Sequence, residues 1–114
     1  MPTPVALEAL SELEFIPQAI VDQPLSFFAN KWKLEIVHGH DDLDEFDGAA
    51  LRMHNGTLIE LKHPSGYPPN TTVIYFSYEI RDVGRITDLI FEVADELGFP
   101  SSWISWKRSD NPDL

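Results

Sequence analysis

The stretch from Asp82 to Pro100 constrains the fold of this chain more than any other. Ile86, Leu89, Ile90, Val93 and Leu97 recur at helical spacing, while Arg85, Asp88, Glu92, Asp95 and Glu96 fall between them. That pattern predicts an amphipathic helix from about Val83 to Leu97. Both ends carry stop signals. Asp82 can cap the first turn, Gly98 suits a left-handed C-terminal position, and Pro100 blocks continuation. A helix with one apolar stripe must bury it against something, so the rest of the chain has to supply an apolar surface.

That surface is read as a sheet. Thr72 to Glu79 concentrates β-branched and aromatic residues and is expected to be a central strand. Ala49 to Met53 and Thr57 to Lys62 are two further strands, and the turn between them fixes their register. A two-residue turn at Asn55-Gly56 would place Leu51 opposite Glu60 and mix the faces. A three-residue turn, His54-Asn55-Gly56, places Leu51 opposite Ile59 and Ala49 opposite Leu61, which separates apolar from polar. The second register is therefore expected, as a type I turn plus bulge with Gly56 in the left-handed position. His63 to Thr71 holds Pro64, Pro68 and Pro69 and reads as a loop.

The flanks are read with the same rules. Thr3-Pro4 resembles a helix start, and a helix from about Pro4 to Phe15, ended by Pro17, is expected. Residues 18–30 are ambiguous. Trp32, Leu34 and Ile36 alternate with Lys33 and Glu35, predicting a strand as far as His38 or Gly39. Ser102 to Trp106 reads as a short last strand, and residues 109–114 as a polar, solvated and flexible tail. The expected architecture is α+β: an antiparallel sheet of about four to five strands with two helices in two layers, in the order α-β-β-β-β-α-β. With 114 residues, 43% of them hydrophobic, the chain suffices for one domain with one core, spanning residues 1–114.

Charge and cysteine content narrow the chemistry. Eight Lys and Arg against nineteen Asp and Glu give a formal charge of −11. That opposes nucleic-acid binding, which needs clustered cations, and only Lys107 and Arg108 flank the C-terminal tryptophans. The absence of cysteine excludes disulfides, thiolate catalysis, Cys-ligated zinc and iron–sulfur clusters. No apolar run reaches the roughly 20 residues of a membrane span, and no basic–apolar leader opens the sequence, so a cytoplasmic protein is expected. There is no phosphate-binding glycine motif and no Gly-x-Ser-x-Gly elbow. No organic cofactor is implied.

Two constellations remain. His38 and His40, two apart on an extended chain, point to one side, and with Asp42 they offer a set of metal-ligating groups. The acidic run Asp41, Asp42, Asp44, Glu45 and Asp47 surrounds Phe46. It is no EF-hand, because Phe46 stands where an oxygen ligand is required. Clustered carboxylates do steer association with basic surfaces, and Phe46 or Tyr67 at the tip of the proline-rich loop would be an aromatic anchor. Asp88, Glu92, Asp95 and Glu96 form a second acidic strip. In size and charge alone, the chain resembles the small acidic immunity proteins and antitoxins that cover basic partners. The expected function is a non-enzymatic interaction module for a basic protein. A metal-dependent role for His38, His40 and nearby carboxylates is the alternative, and an exposed last strand would allow a homodimer.

Overall fold

The computed structural model describes residues 2–10, 14–40 and 45–110. Strand β1 (Thr3–Val5) is followed by a 3-10 turn at Leu7–Leu10, strand β2 (Phe15–Val21), helix α1 (Leu25–Trp32) and strand β3 (Val37–His40). Strands β4 (Glu45–Arg52), β5 (Leu58–Pro64) and β6 (Thr72–Ser77) precede helix α2 (Val83–Leu97). A 3-10 turn at Ser101–Trp103, strand β7 (Ile104–Lys107) and a last 3-10 turn at Arg108–Asp110 close the described chain.

Among the described residues, seven strands form one open antiparallel sheet, six of them in the order β1-β4-β5-β6-β2-β7. β1 and β3 share one edge of β4: β3 lies along Glu45 to Gly48 and β1 along Ala50 to Arg52. Both helices pack on the same face. Their apolar residues, among them Phe28, Ile90 and Val93, form one buried cluster with Ala49, Leu51, Ile59, Leu61, Ile74 and Phe76 of the sheet. The opposite face buries Ala50 and Val73. There the 3-10 turn at Leu7–Leu10 lies over β4, close enough that a methyl on Gly48 would stand 3.3 Å from Leu7 Cδ2.

Local rules set much of this. α2 spans the predicted residues, Asp82 Oδ2 accepts the Arg85 N–H at 2.8 Å, and Gly98 adopts φ 78°. The β4–β5 turn has the expected three residues. Gly56 N–H donates to the Met53 carbonyl, Met53 N–H donates to that of Thr57, and Gly56 has φ 90°. Leu51 consequently faces Ile59 and Ala49 faces Leu61. β6 lies in the interior of the sheet, between β5 and β2.

The expected N-terminal helix is not present. Pro4 pairs with Leu51 on an edge strand, where its missing N–H leaves no ladder position empty. The Leu7/Leu10 spacing produces a single 3-10 turn, and Phe15 already belongs to β2. Residues 11–13 lie outside the described residues. The first helix is α1, in the segment left ambiguous by the sequence. From α1 onward the element order is the predicted one, and two additional strands precede it. With β1 and β2 added, the sheet has seven strands among the described residues instead of four to five.

The Trp32–Leu34–Ile36 alternation also misled. Trp32 ends α1, and Lys33 takes the left-handed conformation (φ 57°) that lets its N–H close onto Ala29 O. Leu34 is buried but Ile36 is exposed, and the strand starts only at Val37. β4 starts earlier than the strand expected from Ala49, because Glu45 to Gly48 pair with β3. Ser109, expected in a solvated tail, stands in a 3-10 turn with its hydroxyl oxygen buried. Two side chains of α1 tie it to the end of α2: Trp32 Nε1 donates to Leu97 O at 3.3 Å, and Lys31 Nζ to Gly98 O at 3.3 Å.

Candidate functional site

β3 and the start of β4 bring together part of the set that the sequence singled out. His38 faces Asp47 and His40 faces Glu45 across the antiparallel pair. Strand alternation puts all four side chains on the sheet face that carries the helices, beyond the region the helices cover. Their exposure agrees: the His38, Glu45 and Asp47 side chains are 65%, 68% and 51% accessible. His38 Nδ1–H donates to Asp47 Oδ1 at 2.9 Å, and its Nε2 lies 3.9 Å from Glu45 Oε2. The Asp47 hydrogen bond holds the His38 imidazole above its ordinary pKa; desolvation opposes it, and the negative charges of Asp47 and Glu45 add smaller support.

His63 of β5 is the register partner of Asp47 on the other side of β4. Its Nδ1–H is committed to the Thr71 carbonyl at 2.8 Å, which fixes the ring over the β5–β6 connection. Sequence spacing gave no reason to join His63 to Asp47, since sixteen residues and a hairpin separate them. The link arises only from the β4–β5 register.

Phe46 points to the opposite face from Glu45 and Asp47. It is half-buried, with its ring 4.1 Å from Lys62 Nζ, and Tyr75 holds the same ammonium at 4.9 Å. Lys62 also pairs with Glu60 Oε1 at 3.5 Å. Phe46 thus forms one wall of a cation cradle within its own sheet. Tyr67, by contrast, is exposed at 42% in the β5–β6 loop. That loop is tied to the start of β4, where Ser65 N–H donates to Glu45 O at 2.9 Å. The structure therefore brings Glu45, Asp47 and the Tyr67 loop to one end of the sheet. Asp41, Asp42 and Asp44 lie outside the described residues.

The α2 strip is a separate surface. Its carboxylates meet the β4–β5 turn: Glu96 Oε2 accepts the His54 N–H at 2.8 Å, and Glu92 Oε2 accepts Asn55 Nδ2 at 3.2 Å. Arg85 adds a 3.8 Å contact to Glu92. Nine residues of nearly extended strand separate Glu45 from His54, a span of roughly 30 Å. The two acidic surfaces thus stand at opposite ends of β4. Asp88 and Asp95 are exposed, whereas Glu92 and Glu96 also serve to hold the turn.

Among the described residues, no three His, Asp or Glu side chains gather into a metal-holding group. Of the expected ligand set, His38 is engaged by Asp47, His40 is exposed at the end of β3, and Asp42 is outside the described residues. No helix among the described residues is long and apolar enough to cross a membrane. No protein-family model matches the chain, and no curated protein or solved structure is matched by it.

Proposed function

We propose that the protein is a small non-enzymatic interaction module that receives a basic partner at the sheet end formed by β3, the start of β4 and the β5–β6 loop. The carrying observation is the Ser65–Glu45 backbone bond, which ties the loop that carries exposed Tyr67 to the strand end that bears Glu45 and Asp47. An exposed aromatic next to a carboxylate rim is a suitable arrangement for a basic surface: the ring supplies desolvated contact area and the charges supply steering. Asp41, Asp42 and Asp44 extend the rim in sequence. Tyr67 takes the anchor role, because the Phe46 ring is already engaged with Lys62. A cytoplasmic setting belongs to this proposal; a chain without cysteine needs no oxidising compartment to complete its fold.

The test is capture on the full chain from lysate of the source cells at low salt, followed by a salt gradient. A basic protein released at a defined salt step is expected, and a Glu45→Lys/Asp47→Lys variant should fail to retain it. Retention that ignores both salt and the two reversals would overturn the reading.

A further inference from the structure

A cavity of about 180 Å³ opens between β2, the beginning of α2 and the last 3-10 turn. Ile16, Ile80, Val83 and Ile86 give it apolar walls. Its polar groups are unusual for this chain. Arg81 and Arg108, two of only eight basic residues in a protein of formal charge −11, line it, and no carboxylate is among its described lining residues. Arg81 is steadied by Tyr78: its Nε donates to Tyr78 O at 3.4 Å and its guanidinium lies 5.5 Å from the Tyr78 ring.

Gln18 reaches this cavity through a bulge. Pro17 pairs with Tyr75 and Ala19 with the next residue back, Ile74, so Gln18 has no partner across β2–β6. A bulge of this kind re-aims a side chain, and here Gln18 joins Ile16 and Ile86 on the helix side of the sheet. The Gln18 side chain is completely buried, yet neither Nε2 nor Oε1 has a hydrogen-bond partner, and Ser109 Oγ in the same wall is equally unpartnered. Buried polar groups are nearly always paired, so two unsatisfied donors at one cavity, Gln18 Nε2 and Ser109 Oγ, point to a ligand that accepts from both.

We propose that this cavity binds a small organic monocarboxylate with an apolar body. A carboxylate accepts from Gln18 Nε2 and Ser109 Oγ while the Arg81 guanidinium balances its charge. The apolar body rests on the isoleucine and valine walls. A cavity of roughly 150 Å³ accommodates benzene, so an acid of about that bulk fits this one. The site is separate from the acidic end of the sheet, and its occupancy does not depend on the proposed partner.

The test uses sodium benzoate as the probe, at constant ionic strength, with the full chain followed by ¹H–¹⁵N spectra. The Gln18 side-chain amide and Arg81 Nε–H signals should move along one saturable isotherm, with a dissociation constant on the order of 1 mM. Benzamide, the neutral isostere, should bind more weakly. Arg81→Leu, at an exposed position, should leave the spectrum folded and weaken benzoate about tenfold. Gln18→Leu should remove the binding, and Arg81→Leu carries the test where that buried change disturbs folding. Shifts that do not saturate at these groups, equal binding of benzamide, or an Arg81→Leu variant with unchanged affinity would each overturn the proposal.

Discussion

His38 and Asp47 stand directly opposite one another on β3 and β4, with imidazole Nδ1 2.9 Å from the carboxylate. The pair favours protonated His38. Its contribution to stability is therefore complete below the ordinary histidine value of 6.5 and is lost as pH rises through the higher folded value. An NMR titration of the His38 ring should give a midpoint above 6.5, and Asp47→Asn should bring it down. A midpoint that ignores Asp47→Asn would contradict the assigned cause.

Lys62 is held by Phe46, Tyr75 and Glu60 on the opposite face. Lys62→Met leaves the largely buried Glu60 without its counter-charge and is expected to cost about 2 kcal/mol in denaturant unfolding. Glu60 itself is raised in pKa, by desolvation first and against the pull of Lys62. Stability should accordingly fall as pH rises from 4.5 through the folded value of Glu60, and Glu60→Gln should flatten that part of the profile.

Two glycines separate backbone from packing effects. A methyl group at Gly56 meets nothing within 4 Å, so Gly56→Ala should cost about 1–2 kcal/mol through its positive φ alone. At Gly39 the φ is ordinary, but a methyl would stand 2.9 Å from Phe46 Cζ. Gly39→Ala should cost about 1–3 kcal/mol by pushing that ring from its place beside Lys62. Ring-current shifts of the Lys62 side chain should shrink in Gly39→Ala and persist in Gly56→Ala.

Asp82 caps α2 through the Arg85 N–H. Asp82→Ala should lower stability by about 1 kcal/mol. Thermal or urea unfolding measures it, and Asp82→Asn, which keeps an acceptor oxygen, should recover most of the loss.

The two acidic surfaces make opposite predictions for the same partner. Glu45→Lys with Asp47→Lys should slow association several-fold or more at low salt, since rim charges act mainly on the on-rate. Asp88→Lys with Asp95→Lys, at the far end of β4, should leave that rate within about twofold once the change in net charge is screened. Stopped-flow association at two salt concentrations distinguishes them.

By itself, the sequence determined the elements whose causes are local. α2 follows from an i, i+3, i+4 stripe with a cap at each end. The β4–β5 register follows from a three-residue turn ending in glycine and from keeping Leu51, Ile59, Ala49 and Leu61 on one face. The joint position of His38 and His40 follows from strand alternation. Tertiary structure decided the rest. Pro4 and Phe15 became strand residues because β4 and β6 offered ladders that their own neighbours could not reveal. Trp32 remained helical because its indole N–H reaches Leu97 O, sixty-five residues away. Gln18 fell in the segment that the sequence left ambiguous, and its meaning depends on a bulge against β6 and on arginines from two distant segments. Periodicity and capping act within a few residues and can be read along the chain. Pairing partners, bulges and cavities arise from contacts between distant segments, whose competition is settled only when the whole sheet and its helices pack together.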